Sequence, residues 1–362
     1  MYLYLTILFV ACFIFSLLFN FLMLRWSRTL GRKNQSTERE QRWSADRKPA
    51  IGGVSFYMVL LISYLAYLFL VKPNLSSTDE MIHFGILLLT TLAFFTGLAD
   101  DAFNTMPVLK LAAQICCGLI LVFFDISIAF FNIPVADNLL TIMWTVGIMN
   151  SINMLDNMDG ITASVSVHIL LMAAASALPL SQDNLFYTFV CGGLVSALLG
   201  FLVFNWHPSR MFMGDTGSQL LGAMLAAMGI IFFWNNDNLV EGHNWWSKIT
   251  IIITAFAVPM ADTITVTINR LRAGKSPFVG GRDHTTHHLS YLGLKDDHVA
   301  ILVNAISFVS LVMIAMLRWI PTEYLNIYLL TMFVYSVIVF TSLFTITQLS
   351  GKIKNVQIHE KD

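Results

Sequence analysis

Residues 3–24 read LYLTILFVACFIFSLLFNFLML, a stretch without a single charged side chain. An α-helix rises about 1.5 Å per residue, so this stretch is long enough to span the roughly 30 Å hydrocarbon core of a bilayer. The rest of the chain has the same character: 56% of its 362 residues are hydrophobic, only 12% are charged, and the mean hydropathy is +0.70. These values exclude a soluble globular protein and a disordered chain, and they indicate a membrane protein.

We predict an all-α polytopic fold with about 11 transmembrane helices in one domain, residues 1–362, because no linker divides the chain. The predicted spans are 3–24, 51–71, 82–98, 111–124, 138–151, 161–178, 186–204, 218–234, 249–268, 299–317 and 324–349. With the N-terminus outside and the C-terminus inside, 18 of the 21 Lys and Arg residues fall on the inner side, as the positive-inside rule requires. The near balance with 22 acidic residues excludes a basic nucleic-acid binder.

Acidic side chains gather in the loops that this topology places on the inner side. One pair, Asp100 and Asp101, ends the third span. Two adjacent carboxylates repel, so they favour a bound cation or a shared proton, which suits metal binding or proton abstraction. The alternative is a helix cap leading into a solvated turn. Four such clusters on one face favour a functional site, because carboxylates beside a membrane are costly to desolvate.

The segment NMLDNMDG, residues 153–160, joins the fifth and sixth spans. Its polar residues Asn153, Asp156 and Asp159 are three apart, so a helical turn would place them on one face. Gly160 permits a sharp exit from that turn. We therefore predict that these three side chains face a common site.

Two further segments have the chemistry of phosphate binding. Asp215 lies between two glycines in FMGDTGS, residues 212–218, at a predicted helix N-terminus, where backbone N–H groups bind phosphate and a carboxylate can hold Mg²⁺. The loop 270–288 contains four basic residues and His284, His287 and His288. The histidines lack the cysteine partners or HExxH frame of a zinc site, so an anion clamp is the better interpretation. Asp262, inside the ninth span, is expected to make a buried polar contact.

These segments together resemble the polyprenyl-phosphate N-acetylhexosamine-1-phosphate transferases, the MraY/WecA superfamily of bacterial cell-envelope synthesis. The resemblance rests on GLADD at 97–101 followed by P-x-x-K, NMLDNMDG, FNWHP at 204–208 with FMGDTGS, and the histidine loop, in the family's order. Eleven spans resemble the WecA-like branch of glycosyltransferase family 4, which takes N-acetylglucosamine, more than the ten-span branch that takes UDP-MurNAc-pentapeptide. The order DHTTHH at 283–288 departs from the three consecutive histidines of one branch and from the H-x-H-H of the other, which leaves the sugar open.

The resemblance implies transfer of a sugar-1-phosphate, GlcNAc-1-phosphate by preference, from a UDP-sugar to undecaprenyl phosphate, with release of UMP. It implies a bacterial inner-membrane enzyme whose active site faces the cytoplasm and starts a cell-envelope glycan such as an O-antigen. The cofactor would be Mg²⁺, with Mn²⁺ as the alternative, and a homodimer is compatible with the sequence. The loops 25–50, 99–110, 152–160, 205–217 and 269–298 would form the site.

The resemblance also assigns roles to residues. Asp215 is expected to bind the metal, and Asp100, supported by Asp101, to act as a base or as an orienting group for the lipid phosphate; direct attack and a covalent aspartyl-phosphate both remain open. The expected catalytic residues are Asp100, Asp101, Asp156 and Asp159, and the expected substrate-binding residues are Lys48, Lys110, Asn153, Asn205, Phe212, Arg282, His284, His287 and His288.

Three alternatives stay open at this point. The same reaction could use another UDP-N-acetylhexosamine or UDP-MurNAc-pentapeptide. An intramembrane aspartyl protease would need two facing aspartates inside the bilayer. An ion-coupled transporter would carry ionisable residues at the midplane, yet among the charged and histidine residues only His168 and Asp262 fall well inside the predicted spans, with His83 at the edge of one.

Overall fold

The computed structural model describes residues 2–29, 48–71, 77–177, 182–235, 245–276 and 281–359. Within these residues the chain is helical and forms no sheet, which confirms the all-α prediction. The helices are α1 (Tyr2–Thr29), α2 (Gly52–Ala66, continued by a π-helical turn Tyr67–Val71), α3 (Ser77–Phe103), α4 (Pro107–Phe123), α5 (Pro134–Leu155), α6 (Ile161–Ser176), α7 (Gln182–Asn205), α8 (Gly214–Gly229, continued by a π-helical turn Ile230–Trp234), α9 (Trp245–Ala255), α10 (Ala257–Arg272), α11 (Thr285–Tyr291), α12 (Asp296–Met316, continued by a 3₁₀ turn Leu317–Trp319) and α13 (Thr322–His359).

Helices coincide with all eleven predicted spans over the described residues. Seven of them, in α1, α2, α3, α7, α8, α12 and α13, are long and apolar enough to cross a bilayer by length and composition. The bent pair α9–α10 would make an eighth, while α4 and α6 are apolar but shorter. The chain is therefore a multi-pass membrane protein, and the number of eleven and the orientation stay predictions.

The ninth span is not the continuous helix that we predict over 249–268. It breaks at Phe256, whose φ of −107° and ψ of 27° are not helical, and α9 and α10 meet at 85°. Pro259 lies in the first turn of α10, where a residue without an N–H is tolerated because no acceptor precedes it in the helix. Pro259 was the sequence signal for this break.

Helix α8 lies at the centre of the bundle and packs against α2, α3, α5 and α6. It is buried along nearly its whole length. Small residues permit this, because backbones approach closely only where side chains are absent or short. A Cβ on Gly53 of α2 would lie 2.2 Å from the backbone nitrogen of Gly217. A Cβ on Gly97 of α3 would lie 2.2 Å from the carbonyl oxygen of Asp215.

We expect Gly97→Ala to destabilise the protein. The added methyl group would meet rigid backbone rather than a flexible side chain, and such overpacking costs about 1–3 kcal/mol of unfolding free energy. Gly147→Ala in α5 is the matched control, because a Cβ there meets nothing within 4 Å. Thermal unfolding in detergent should give a lower midpoint for Gly97→Ala than for Gly147→Ala, and equal midpoints would contradict the close approach of α3 to α8.

Candidate active site

The ammonium group of Lys110 joins residues from four helices. Its Nζ lies 3.0 Å from Oδ2 of Asp100 at the end of α3 and 2.7 Å from Oδ2 of Asp215 at the start of α8. It also donates to Oδ1 of Asn153 near the end of α5, at 3.4 Å. Asn153 in turn donates through Nδ2 to Oδ1 of Asp215, at 2.7 Å, and to Oγ of Ser218, at 2.8 Å. Predicted site residues up to 115 positions apart thus meet at one end of the bundle.

A tight turn places Lys110 against Asp100. Helix α3 ends at Phe103, and Asn104 takes the left-handed conformation with φ of 50°. Thr105 then folds back, and both its N–H and its hydroxyl donate to Oδ1 of Asp100. Pro107 begins α4, as its fixed φ and missing N–H favour. Both carboxylate oxygens of Asp100 are consequently engaged, one by Thr105 and the other by Lys110.

Asp101 has a different position from its neighbour. Its Oδ1 accepts the N–H of Asp215 at 3.0 Å, and its Oδ2 accepts the N–H of Thr216 at 2.8 Å and the Thr216 hydroxyl at 2.6 Å. The carboxylate therefore caps the N-terminus of α8 from another helix, where free N–H groups and the helix dipole favour negative charge. This geometry indicates that Asp101 positions Asp215, whereas the sequence suggested a catalytic residue.

A second group of polar residues surrounds Asp159. Its Oδ1 accepts the Ser209 hydroxyl at 2.7 Å, and its Oδ2 accepts the Ser209 N–H at 2.9 Å. Nδ1 of His207 lies 3.2 Å from the same carboxylate, and Nζ of Lys48 lies 3.9 Å from it. Gly160 next to it has φ of 76°, which confirms that glycine provides the exit from this turn. Asp156, half-buried, follows the last residue of α5.

The segment before α2 pairs with the segment before α8. Phe212 accepts the N–H of Gly52 at 3.1 Å and donates its own N–H to Pro49 at 2.9 Å. Lys48 places its ammonium 5.3 Å from the centre of the Phe212 ring, a cation–π contact. Lys48 therefore lies between the half-buried Phe212 ring and the Asp159 carboxylate.

Asn205 holds two loops together from inside. Its Oδ1 accepts the N–H of Gly160 at 3.0 Å, and its Nδ2 donates to the carbonyl of Met211 at 2.9 Å. The side chain is buried. We therefore interpret Asn205 as a residue that shapes the site, although the sequence suggested contact with a substrate.

The histidine loop is anchored to α10 by buried contacts. Nδ1 of His284 lies 2.8 Å from Oδ2 of Asp262, whose Oδ1 accepts the N–H and the hydroxyl of Thr285 at 2.8 and 2.7 Å. Asp262 is 1% exposed, which confirms the predicted buried polar contact. His284, predicted to grip the substrate, is itself buried in this arrangement.

The remaining loop residues divide into buried and exposed ones. Burial, with the nearby His284, lowers the pKa of His287 to about 4, so this buried ring is neutral at pH 7. His288 contacts the Ser350 hydroxyl of α13. Three cations of the loop are exposed and therefore accessible to a dissolved anion: Arg272, Lys275 and Arg282.

Two further contacts fix where the loop lies. The guanidinium of Arg270 donates to both oxygens of Asp283, each at 2.7 Å. Burial would raise the pKa of Asp283, but this ion pair outweighs burial and holds the pKa below its ordinary value. Thr286 donates to Oδ1 of Asn157 at 2.7 Å, which connects the loop to the 153–160 segment. Sequence reasoning missed Thr286, Ser209 and Thr105, because isolated hydroxyl residues are common in loops and carry no distinct signal.

The centre of the site is negatively charged. Two carboxylates, Asp100 and Asp215, share a single ammonium, that of Lys110, and the Asp101 carboxylate lies next to them at the N-terminus of α8. A phosphate-bearing substrate would be repelled by this arrangement unless a further cation joined it. Among the described residues there is no cluster of three or more His, Cys, Asp or Glu side chains arranged to hold a metal ion. A pair of carboxylates nevertheless suffices for Mg²⁺, which typically takes one or two together with substrate phosphates.

Comparison with known proteins identifies relatives of this chain. A family model described as Glycosyl transferase family 4 matches residues 83–233. The chain is 32% identical over 229 residues to a phospho-N-acetylmuramoyl-pentapeptide-transferase of Streptococcus uberis, covering 58% of this chain and 67% of the relative. It is 25% identical over 270 residues to a probable undecaprenyl-phosphate N-acetylglucosaminyl 1-phosphate transferase of Bacillus subtilis, covering 72% and 71%. It is 28% identical over 280 residues to a decaprenyl-phosphate N-acetylglucosaminephosphotransferase of Mycobacterium leprae, covering 70% and 69%.

We expect Asp101→Ala to weaken the start of α8. Loss of its three accepted hydrogen bonds should lower the unfolding free energy by about 1–2 kcal/mol, as for other helix caps. Asp101→Asn keeps one acceptor oxygen, so its unfolding free energy should lie between those of the wild type and Asp101→Ala. Asp297→Ala, an exposed acid in the first turn of α12, is the control and should cost less than about 0.5 kcal/mol. Thermal unfolding distinguishes them, and an Asp101→Ala midpoint equal to that of Asp297→Ala would refute the cap.

Proposed function

Because the chain belongs to the polyprenyl-phosphate N-acetylhexosamine-1-phosphate transferases, the MraY/WecA superfamily within glycosyl transferase family 4, we propose a specific reaction for it. The protein is a membrane phosphoglycosyl transferase that moves a sugar-1-phosphate to a polyprenyl phosphate. We propose that the donor is UDP-GlcNAc, that the acceptor is undecaprenyl phosphate and that UMP is released. The observation that carries the proposal is the convergence of Asp100 and Asp215 on Lys110 at one end of the bundle.

The surface beside this convergence suits a lipid acceptor. Between Asp100 and Lys110 the chain exposes large apolar side chains, with 80% of Phe103, 70% of Met106 and 74% of Val108 accessible. A polyprenyl phosphate could rest its tail on such a surface while its phosphate reaches the Lys110 ammonium. An apolar surface and a charged group thus lie within a few residues of each other, which matches the apolar tail and the charged head of a lipid phosphate.

The residues around Asn153 and Asp159 suit the nucleotide. We propose that Asn153, Asp156 and Asp159 position it and that the Phe212 ring stacks on uracil. Lys48, which lies against both Asp159 and Phe212, would meet a phosphate there. Arg282 is exposed and would add a second cation for the diphosphate or the sugar.

We propose that Asp215 and Asp100 hold a divalent cation, Mg²⁺ or alternatively Mn²⁺. Their oxygens already converge on one cationic group, and the excess negative charge around them favours a second one. When bound, the ion would neutralise charge on the diphosphate and on the departing UMP.

The proposed reaction forms one bond to phosphorus and breaks another. An oxygen of the lipid phosphate bonds to the phosphorus that carries the sugar, and the bond from that phosphorus to the bridging oxygen of UMP breaks. A phosphate monoester is mostly a dianion at pH 7, so it needs little help from a base. Asp100, whose oxygens are engaged by Thr105 and Lys110, would hold Lys110 in place rather than accept a proton. Positioning would then supply most of the rate.

The choice of GlcNAc rests on two observations. The predicted number of eleven spans, each of which coincides with helix over the described residues, resembles the WecA-like branch. The Bacillus subtilis and Mycobacterium leprae relatives, which are named for N-acetylglucosamine, align over 72% and 70% of this chain, whereas the Streptococcus uberis relative named for MurNAc-pentapeptide aligns over 58% at the higher identity of 32%. All three relatives are bacterial transferases, which supports a bacterial membrane enzyme and gives no support to a protease or a transporter. The proposed position of the site on the cytoplasmic face of the inner membrane rests on the excess of Lys and Arg in the loops on that side.

A donor panel tests the reaction. Purified protein with undecaprenyl phosphate and Mg²⁺ should transfer radiolabel from UDP-GlcNAc into the lipid extract and release UMP in equal amount. UDP-GalNAc and UDP-MurNAc-pentapeptide are the competing donors, and faster transfer from either would replace GlcNAc. Absence of lipid label with every donor would reject the transferase assignment.

The metal assignment has its own test. Asp215→Asn keeps the size of the side chain but removes its charge, so turnover should fall at least about 100-fold and respond little to added Mg²⁺. Asp297→Asn, an exposed acid far along the chain, should behave as wild type. Chelation of divalent ions should stop the wild-type enzyme, and Mg²⁺ should restore it. Near-normal turnover of Asp215→Asn would reject a metal at this residue.

A further inference from the structure

Three amide side chains form a hydrogen-bonded cluster inside the bundle. Nε2 of Gln114 donates to Oδ1 of Asn150 at 3.2 Å and to Oε1 of Gln219 at 3.1 Å. Nδ2 of Asn150 donates back to Oε1 of Gln114 at 2.8 Å. Gln114 and Gln219 are almost completely buried. We call Gln114, Asn150 and Gln219 the amide cluster.

The amide cluster repeats the arrangement of the charged residues one helical turn deeper. Each helix contributes one member to each layer: Lys110 and Gln114 in α4, Asn153 and Asn150 in α5, and Asp215 and Gln219 in α8. Helices α4 and α8 begin at the site and α5 ends there, so the amides lie roughly 5 Å further into the bundle. Residues three or four positions apart lie on the same face of a helix, so rotation of a helix moves its amide side chain and its active-site side chain together.

The hydrogen bonds leave the amides a single orientation. Gln114 uses Oε1 as the acceptor for Asn150, so its Nε2 must be the donor and Gln219 must present its oxygen. Nε2 of Gln219 then finds no acceptor among the described residues. Apolar side chains of similar volume at positions 114 and 219 would pack α4 against α8 without leaving an unsatisfied amide nitrogen. The cluster is therefore not optimised for stability, which favours a role in geometry.

We propose that Gln114 is a positioning residue for the transfer reaction. Its hydrogen bonds to Asn150 and Gln219 fix the rotation of α4 against α5 and α8. This sets the separation of the Lys110 ammonium from the Asp215 carboxylate one turn away. The catalytic consequence rests on the proposed function, but the structural one does not.

Gln114→Met tests the proposal, because it removes the amide at nearly constant volume. We expect kcat to fall about 10- to 100-fold, the scale of a small misplacement of catalytic groups, with little change in KM. Gln114→Glu should recover part of the activity at low pH, where the protonated acid donates one hydrogen bond, and lose it as the pH rises. Thr254→Val, which removes a buried hydroxyl bonded to Ser336, is the control with unchanged kcat.

A chemical measurement makes the test independent of turnover. Hydrogen bonds to two carboxylates protect the Lys110 nitrogen from acylation, so Gln114→Met should accelerate its labelling several-fold, by mass spectrometry, relative to the exposed Lys295. Faster labelling of Gln114→Met together with a lower kcat supports the proposal. Faster labelling of Gln114→Met when neither the wild type nor any variant shows turnover would reject the proposed function and leave the structural role of Gln114 intact. An unchanged labelling rate, or a kcat loss that Thr254→Val reproduces at equal thermal stability, would overturn the positioning role.

Discussion

The ion pairs of Lys110 with Asp100 and Asp215 are the contacts on which the active site depends. Charges at the edge of a bilayer are costly unless they are paired. The pairing draws together the end of α3, the beginning of α4 and the beginning of α8, and Asn153 adds the end of α5. Because two negative charges share one positive charge, the same contacts that hold the helix ends together also leave the site able to accept another cation.

The rest of the bundle presents α8 to these charges. Asp101 caps the helix, and Gly53 and Gly97 let α2 and α3 approach its first turn closely. The two adjacent acidic residues thus have different roles: Asp100 binds the Lys110 ammonium, and Asp101 caps the helix that carries Asp215. Successive residues on a helix point about 100° apart, so a pair that looks redundant in sequence faces two different partners.

The histidine loop illustrates how burial alters the chemistry of a motif. The sequence suggested that its histidines clamp an anion. In the fold, His284 is bonded to Asp262, and burial keeps His287 neutral at pH 7. The exposed cations of the loop are Arg272, Lys275 and Arg282. The histidines therefore determine where the loop lies, and its exposed positive charge comes from arginine and lysine.

The sequence by itself determined the helices and the end of the bundle at which the polar residues gather. Long apolar runs must become helices in a bilayer, because no water is present to satisfy the backbone, and this holds whatever their neighbours are. The break at Phe256 was not predicted, because the predicted ninth span runs unbroken over 249–268 although Pro259 lies within it. Only the tertiary structure decided that Asp101 caps a helix, that Asn205 is buried, and that Gln114 bonds to Asn150 and Gln219. These roles depend on the rotation and depth of one helix against another, and such registers are set by packing between residues a hundred positions apart.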